Sequence, residues 1–181
     1  LHPTDYNYDD LTSKQAFHYS LYQWIPFFGS NTCPMNRPDP YAIRSGQSLS
    51  TTLGYDMRRT NFDFAQLRKL SEQLKQTVPC YAGDFYPLTP YNRDTDQWIA
   101  WQFHLSDKGE GMVQAFRREK SGAAAQTFKL SGLDPKARYR VQDLDKDAPD
   151  VVSGKDLMEK GLTVNVPSQP GAAIIHYTRA E

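Results

Sequence analysis

The sequence predicts an α/β part followed by an all-β part, and three observations carry that fold class. In the first half, helical periodicities alternate with short apolar runs, as in a parallel α/β layer. In the second half, short alternating segments recur between turn signals, as in an antiparallel β-sandwich or small barrel. Between them the stretch from Gly83 to Asp96 is rich in Pro, Asp and Asn. It reads as a boundary that divides the chain into 1–82 and 83–181.

Taken in order, Thr12 to Gln15 has the T-x-x-Q form of a capping box, with Asp9 and Asp10 upstream at the positive end of the helix. Phe17, Leu21, Trp24, Ile25 and Phe28 follow at helical spacing, and Pro26 makes continuation costly. The helix is therefore expected to stop near Gln23, with "WIPFFGSN" a buried strand running into a loop. Asp39 and Pro40 suit the cap and first turn of a short helix, and "TTLGYDM" is a second apolar run. Asn61 is the expected cap of a helix whose face is Phe64, Leu67, Leu70, Leu74 and Val78, ended by Pro79.

Beyond the boundary, Ile99, Trp101, Phe103 and Leu105 alternate as a half-buried strand requires. Further strands are expected at 111–117, 126–131, 138–144, 162–166 and 172–178, with a helical turn in "GKDLMEKG". Trp98 and Trp101 fall on opposite faces of one strand, so at most one is expected in the sandwich core, with the other packed against the barrel or a neighbouring chain.

Composition excludes several function classes. The 21 basic and 21 acidic residues cancel, which leaves no electrostatic footprint for nucleic acid or an anionic membrane. No apolar run approaches the ~20 residues a spanning helix needs. Cys33 and Cys80 have no metal-type spacing with each other or with His2, His18, His104 and His176, and are read as free thiols. No phosphate loop or nucleophile elbow is present. No metal and no cofactor are expected. Two β-α units would leave a parallel sheet with bare edges. The chain, which begins at Leu1 without an initiator Met, is therefore expected to start inside a longer protein.

Nine segments, in order, carry a resemblance over essentially the whole chain: "TDYNYDD", "LYQWIPFFGS", "DPYAIRSG", "LGYDMR", "YAGDFYPLTPY", "DQWIAWQFH", "GEGMVQAFRR", "LSGLDPKARYRVQDLD" and "AAIIHYTR". Together they resemble the C-terminal part of family-36 glycoside hydrolases, the melibiase-type α-galactosidases. The resemblance implies that 1–82 is the C-terminal part of a (β/α)8 TIM barrel and that 83–181 is an antiparallel β-sandwich bracing it. It also implies retaining hydrolysis, in which two carboxyl groups ~5–5.5 Å apart act as nucleophile and as acid/base.

In "PTDY", Asp5 matches the family's acid/base aspartate, although the family's second aspartate three residues on is Tyr8 here. The nucleophile's Lys-x-Asp motif and the Cys-x-x-Gly-Gly segment are not in this chain, so the chain alone is expected to be inactive. Gly29, Ser30 and Asn31, following the expected seventh strand, are the candidates for lining a sugar pocket.

The partners implied are an α-galactoside or related carbohydrate, the upstream barrel of the same protein, and further copies meeting at an exposed barrel edge. No nucleic acid and no membrane are expected. Two alternatives stay open: a non-catalytic carbohydrate-binding or structural domain of a glycosidase-like protein, and a related α-glycosidase or galactosyl transferase of different specificity.

Overall fold

The structure, a computed structural model, describes residues 10–25, 27–32, 38–52, 55–56 and 58–180. The elements run α1 (Leu11–Tyr22), β1 (Gly29–Asn31), α2 (Pro40–Ser45), β2 (Ser50–Thr52), α3 (Phe64–Thr77) and a 3-10 turn (Val78–Ala82). They continue with β3 (Asp84–Pro87), β4 (Trp98–Leu105), β5 (Glu110–Arg117), β6 (Ala125–Phe128), β7 (Arg138–Asp143), β8 (Asp150–Ser153), α4 (Gly154–Glu159), β9 (Leu162–Asn165) and β10 (Gly171–Arg179).

An antiparallel sheet in the order β3-β4-β5-β10-β7-β8 organises the molecule. Side chains alternate across it, as the two-residue period of a strand dictates. Trp98, Ala100, Val113, Ala115, Tyr139, Val141, Ala173, Ile175 and Tyr177 point to one side. There they pack against Phe128 and Val164 of the β6–β9 ribbon and Leu157 of α4. Ile99, Trp101, Phe103, Met112 and Phe116 point to the other side, where Tyr19 and Tyr22 of α1 and Cys80 and Tyr81 of the 3-10 turn cover them. Tyr22 meets Phe103 edge-on at 4.8 Å between ring centroids and lies 5.8 Å from Trp101. This is the offset geometry that aromatic quadrupoles favour. Both tryptophans are buried, on opposite faces of β4.

The barrel-fragment fold class is corrected. No sheet among the described residues closes into a barrel. The parallel pairing there is a two-stranded sheet, β1 with β2, of three residues each. Barrel closure needs every strand paired on both sides; β1 and β2 have one partner each, and the large sheet ends openly at β3 and β8. The division into α/β and then all-β also gives way to one mixed assembly, because the first-half helices supply a layer of the large sheet's core. The layer opposite them is a ribbon and a short helix rather than a second full sheet.

Local differences have local causes. Asp10, not Thr12, caps α1, its carboxylate accepting from Thr12 N at 3.0 Å and Ser13 N at 3.2 Å; Asp caps at least as well as Thr. Asp63, not Asn61, caps α3 for the same reason. In "WIPFFGSN" the strand is confined to Gly29–Asn31, and Trp24, Ile25 and Phe27 are 85%, 57% and 50% exposed. Strand β3 falls within the expected boundary segment, and β8 lies where no strand was expected. Asp39 caps α2 with Pro40 in its first turn, as predicted.

Gly46, at the end of α2, sits where a β-carbon would collide with the backbone oxygen of Asn31 and lie 3.1 Å from Thr32 Cα. Backbone cannot swing aside as a side chain can. Gly46→Ala is expected to destabilise the fold by about 1–3 kcal/mol, read from the midpoint of urea unfolding.

Candidate functional site

The sequence-predicted residues Gly29, Ser30 and Asn31 form β1, in parallel register with Ser50, Thr51 and Thr52. Helix α1 runs beside this strand and sends buried polar groups to it. Lys14 Nζ donates to the Asn31 backbone oxygen and to Asn31 Oδ1, both at 3.0 Å. His18 Nε2 lies 2.9 Å from Ser30 Oγ, and Gln15 Nε2 donates to Ser45 Oγ at 2.9 Å. Gln15 Oε1 in turn accepts from Arg118 Nε, which anchors this layer to the end of β5.

Lys14, Gln15, His18 and Ser30 are all buried. Burial drives the His18 pKa down to about 3, and the nearby Lys14 charge pushes the same way, so the ring is neutral. Its Nδ1 has no partner among the described residues. Among the described residues the His18–Ser30 contact thus has no carboxylate of the kind that orients a catalytic imidazole in hydrolytic triads. Asp5, Asp9 and Cys33 lie outside the described residues.

A cleft of about 920 Å³ opens where the starts of α1 and α2 meet the start of β10. It presents Asp10, Asp39, Glu119 and Asp145 beside Tyr41 and Arg44. Burial raises the Asp10 pKa, but hydrogen bonds from Ser13 Oγ and from the Thr12 and Ser13 amides outweigh it and leave a net lowering. At Asp145, burial is likewise outweighed, by hydrogen bonding and charge from Arg44 and then by Gln73 and Lys69. Both stay ionised at neutral pH, the opposite of what a proton-donating acid requires. Asp10 and Asp39 also spend their oxygens on helix N–H groups. Neither Asp10 nor Asp145 is thus poised as a general acid in this cleft.

A third cluster joins residues far apart in sequence. Cys80, Glu110 and His176 bring their ligand-type atoms within 4.8 Å of one another. No spacing rule signals it, because 30 and 66 residues separate the three; the sheet register unites Glu110 with His176, and the 3-10 turn adds Cys80. Lys14 and His18 were equally illegible, since a helical lysine and histidine normally face water.

Residues 98–176 match the model of the glycosyl hydrolase family 36 C-terminal domain. Among solved structures, the galactosidase domain of α-galactosidase-sucrose kinase AgaSK superposes with a TM-score of 0.71 at 17% identity, over 94% of this chain and 25% of that one. The family-36 α-galactosidase AgaA of Geobacillus stearothermophilus, in complex with raffinose, gives 0.71 at 19% identity, over 96% of this chain and 25% of that one. AgaB from the same organism gives 0.63 at 20% identity, over 94% and 24%. At these identities the likeness is one of fold. The chain spans about a quarter of the length of these structures. No match was found among curated proteins.

Proposed function

We propose, from the premise that residues 98–176 are a C-terminal domain of glycosyl hydrolase family 36, that the chain is the C-terminal portion of a retaining α-galactosidase. Its 83–181 part serves that enzyme as an accessory domain that braces the catalytic part. The observation that carries the reading is the joint one: the family match lies on the large sheet, and the fold likeness to α-galactosidases extends over 94–96% of the chain. The substrate class of the whole enzyme is an α-galactoside, the class for which those similar enzymes are named. Its O-glycosyl bond is cleaved by a carboxylate pair.

In this reading Asp5 is the general acid/base, and Gly29, Ser30 and Asn31 line the sugar-binding region. The division near residue 82 separates the segment closest to the chemistry from the sheet that braces it. Support for bracing comes from the apolar Trp24, Ile25 and Phe27, exposed in succession just before β1. Such a surface marks a contact with another part of a protein. The acidic cleft offers no counter-evidence, because its Asp10 and Asp145 are held ionised and partnered.

The purified 181-residue chain should therefore leave an aryl α-galactoside uncleaved, because the Lys-x-Asp nucleophile is not within it. Release of the aryl alcohol above the buffer rate, abolished by Asp5→Asn, would overturn the accessory reading.

A further inference from the structure

We propose that Cys80, His176 and Glu110 form a binding site for a zinc ion that clips the 3-10 turn onto the large sheet. The inference stands independently of the α-galactosidase reading. Glu110 opens β5 and pairs with Thr178 of β10, while His176 pairs with Met112. The two side chains are thus diagonal neighbours on the same face, and His176 Nε2 lies 2.9 Å from Glu110 Oε1. Cys80 is brought over this face by the 3-10 turn that follows α3, and it is fully buried.

A tetrahedral zinc with Zn–S ~2.3 Å and Zn–N or Zn–O ~2.0–2.2 Å holds its ligand atoms ~3.3–3.6 Å apart. The observed separations reach at most 4.8 Å. Closing the remainder takes about 1 Å, within reach of side-chain rotation at Glu110 and His176. Glu110 is a quarter exposed, which gives the ion an entry path and leaves a fourth position for water.

The donor set selects the metal. Thiolate and imidazole favour a borderline-soft ion over magnesium or calcium, which prefer oxygen cages. Burial and then the charge of Glu110 push the Cys80 thiol up to about 12. Without a cation between them, the sulfur keeps its proton. A divalent ion reverses that logic, since it lies against both the sulfur and the carboxylate. On binding, the S–H bond breaks, the Zn–S bond forms and one proton goes to solvent.

The imidazole keeps its single hydrogen but exchanges its position. Gln76 Nε2 now donates to His176 Nδ1 at 3.3 Å, which leaves Nε2–H facing Glu110. With zinc on Nε2 the hydrogen moves to Nδ1, and the Gln76 amide turns over so that its Oε1 accepts it. Gln76 is thereby an orienting residue of the kind that metal-bound histidines require.

Cobalt substitution tests the site. Titrating the full chain with Co²⁺ should produce a thiolate-to-cobalt charge-transfer band at one equivalent, discharged by Zn²⁺. The band should vanish in Cys80→Ser and persist in Cys33→Ser. Gln76→Ala should weaken binding by about 10–100-fold, and affinity should rise about tenfold per pH unit as one proton is released. No charge-transfer band, or a band that survives Cys80→Ser, overturns the proposal. Should Cys80→Ser fail to fold by circular dichroism, His176→Gln decides the matter. Its Co²⁺ affinity must fall at least ~10-fold, and an unchanged affinity refutes the site.

Discussion

Replacing Asp145 with alanine is expected to destabilise the protein by about 3 kcal/mol, because it strands a buried guanidinium. Arg44, on α2, is 2% exposed. Its Nη1 donates to Asp145 Oδ2 at 2.7 Å and to the Ala172 carbonyl at 2.6 Å. Its Nη2 donates to Asp145 Oδ1 at 2.7 Å and to Gln73 Oε1 at 2.9 Å. One fork therefore joins α2, α3, the loop after β7 and the start of β10.

The desolvation of the arginine is already committed by its position, so removing its counter-charge leaves only carbonyl and amide oxygens to compensate. Asp145 is 43% exposed, so water reaches the vacated position and holds the cost to the lower end of the usual 3–5 kcal/mol. The double variant Arg44→Met/Asp145→Leu should lose less than Asp145→Ala alone, since it removes both charges and restores apolar volume. Urea unfolding at neutral pH measures all three. A loss below ~1 kcal/mol for Asp145→Ala, the range of an exposed pair, would show that the bridge is a surface ornament.

The same network marks what sequence reasoning reached. The cap of α2 was legible, because Asp39 followed by Pro40 has one local meaning. The burial of Arg44, four residues after Pro40, was not. Its partner Asp145 is 101 residues away, and nothing in "AIRSG" distinguishes an inward from an outward arginine.

Strand β4 shows the same limit from the other side. The alternation of Ile99, Trp101 and Phe103 marks a true strand, but it suggests one wet face. Seven of its eight residues are buried, because the ribbon and α4 cover the second face. There Gln102 is buried with its amide donating to Ser131 O at 2.8 Å and Tyr177 Oη at 2.7 Å. A polar residue in an alternating pattern reports exposure only when its hydrogen bonds go to water.

"WIPFFGSN" fails for the converse reason. Its composition suits a buried strand, yet strand formation needs a backbone partner, and Ser50–Thr52 meets only Gly29–Asn31. The barrel expectation failed with it, since a family resemblance transmits a parent's architecture but not the contacts a segment makes. The family model matches residues 98–176, which hold β4, β5, β7 and β8 of the large sheet and most of β10.

Acid should unfold the protein through His18 before the carboxylates titrate. The His18 pKa is depressed from 6.5 to about 3 in the fold, first by burial and then by the Lys14 charge. An unfolded chain therefore binds a proton at His18 between those values while the native chain does not. With more protons on the unfolded state, stability rises with pH across this window and falls as pH drops below about 6.5. The slope from this one group approaches ~1.4 kcal/mol per pH unit.

Asp145 and Asp10, whose pKa values are lowered, contribute stability that is present above the carboxylate range. That stability is lost only as pH falls below 3.8. The two regimes separate cleanly between pH 6 and pH 4. His18→Asn removes the titrating ring, at the cost of its contacts with Phe28 at 5.1 Å and Tyr22 at 6.0 Å. The variant will start from lower stability, so the informative quantity is the slope rather than the level. Urea midpoints taken across that interval should fall steeply for the parent chain and less steeply for His18→Asn, whose remaining slope comes from His104, a ring that burial also holds below its ordinary value. Parallel slopes would mean that the α1–β1 interface admits a charged imidazole, and that the buried polar layer around Ser30 is looser than its hydrogen bonds imply.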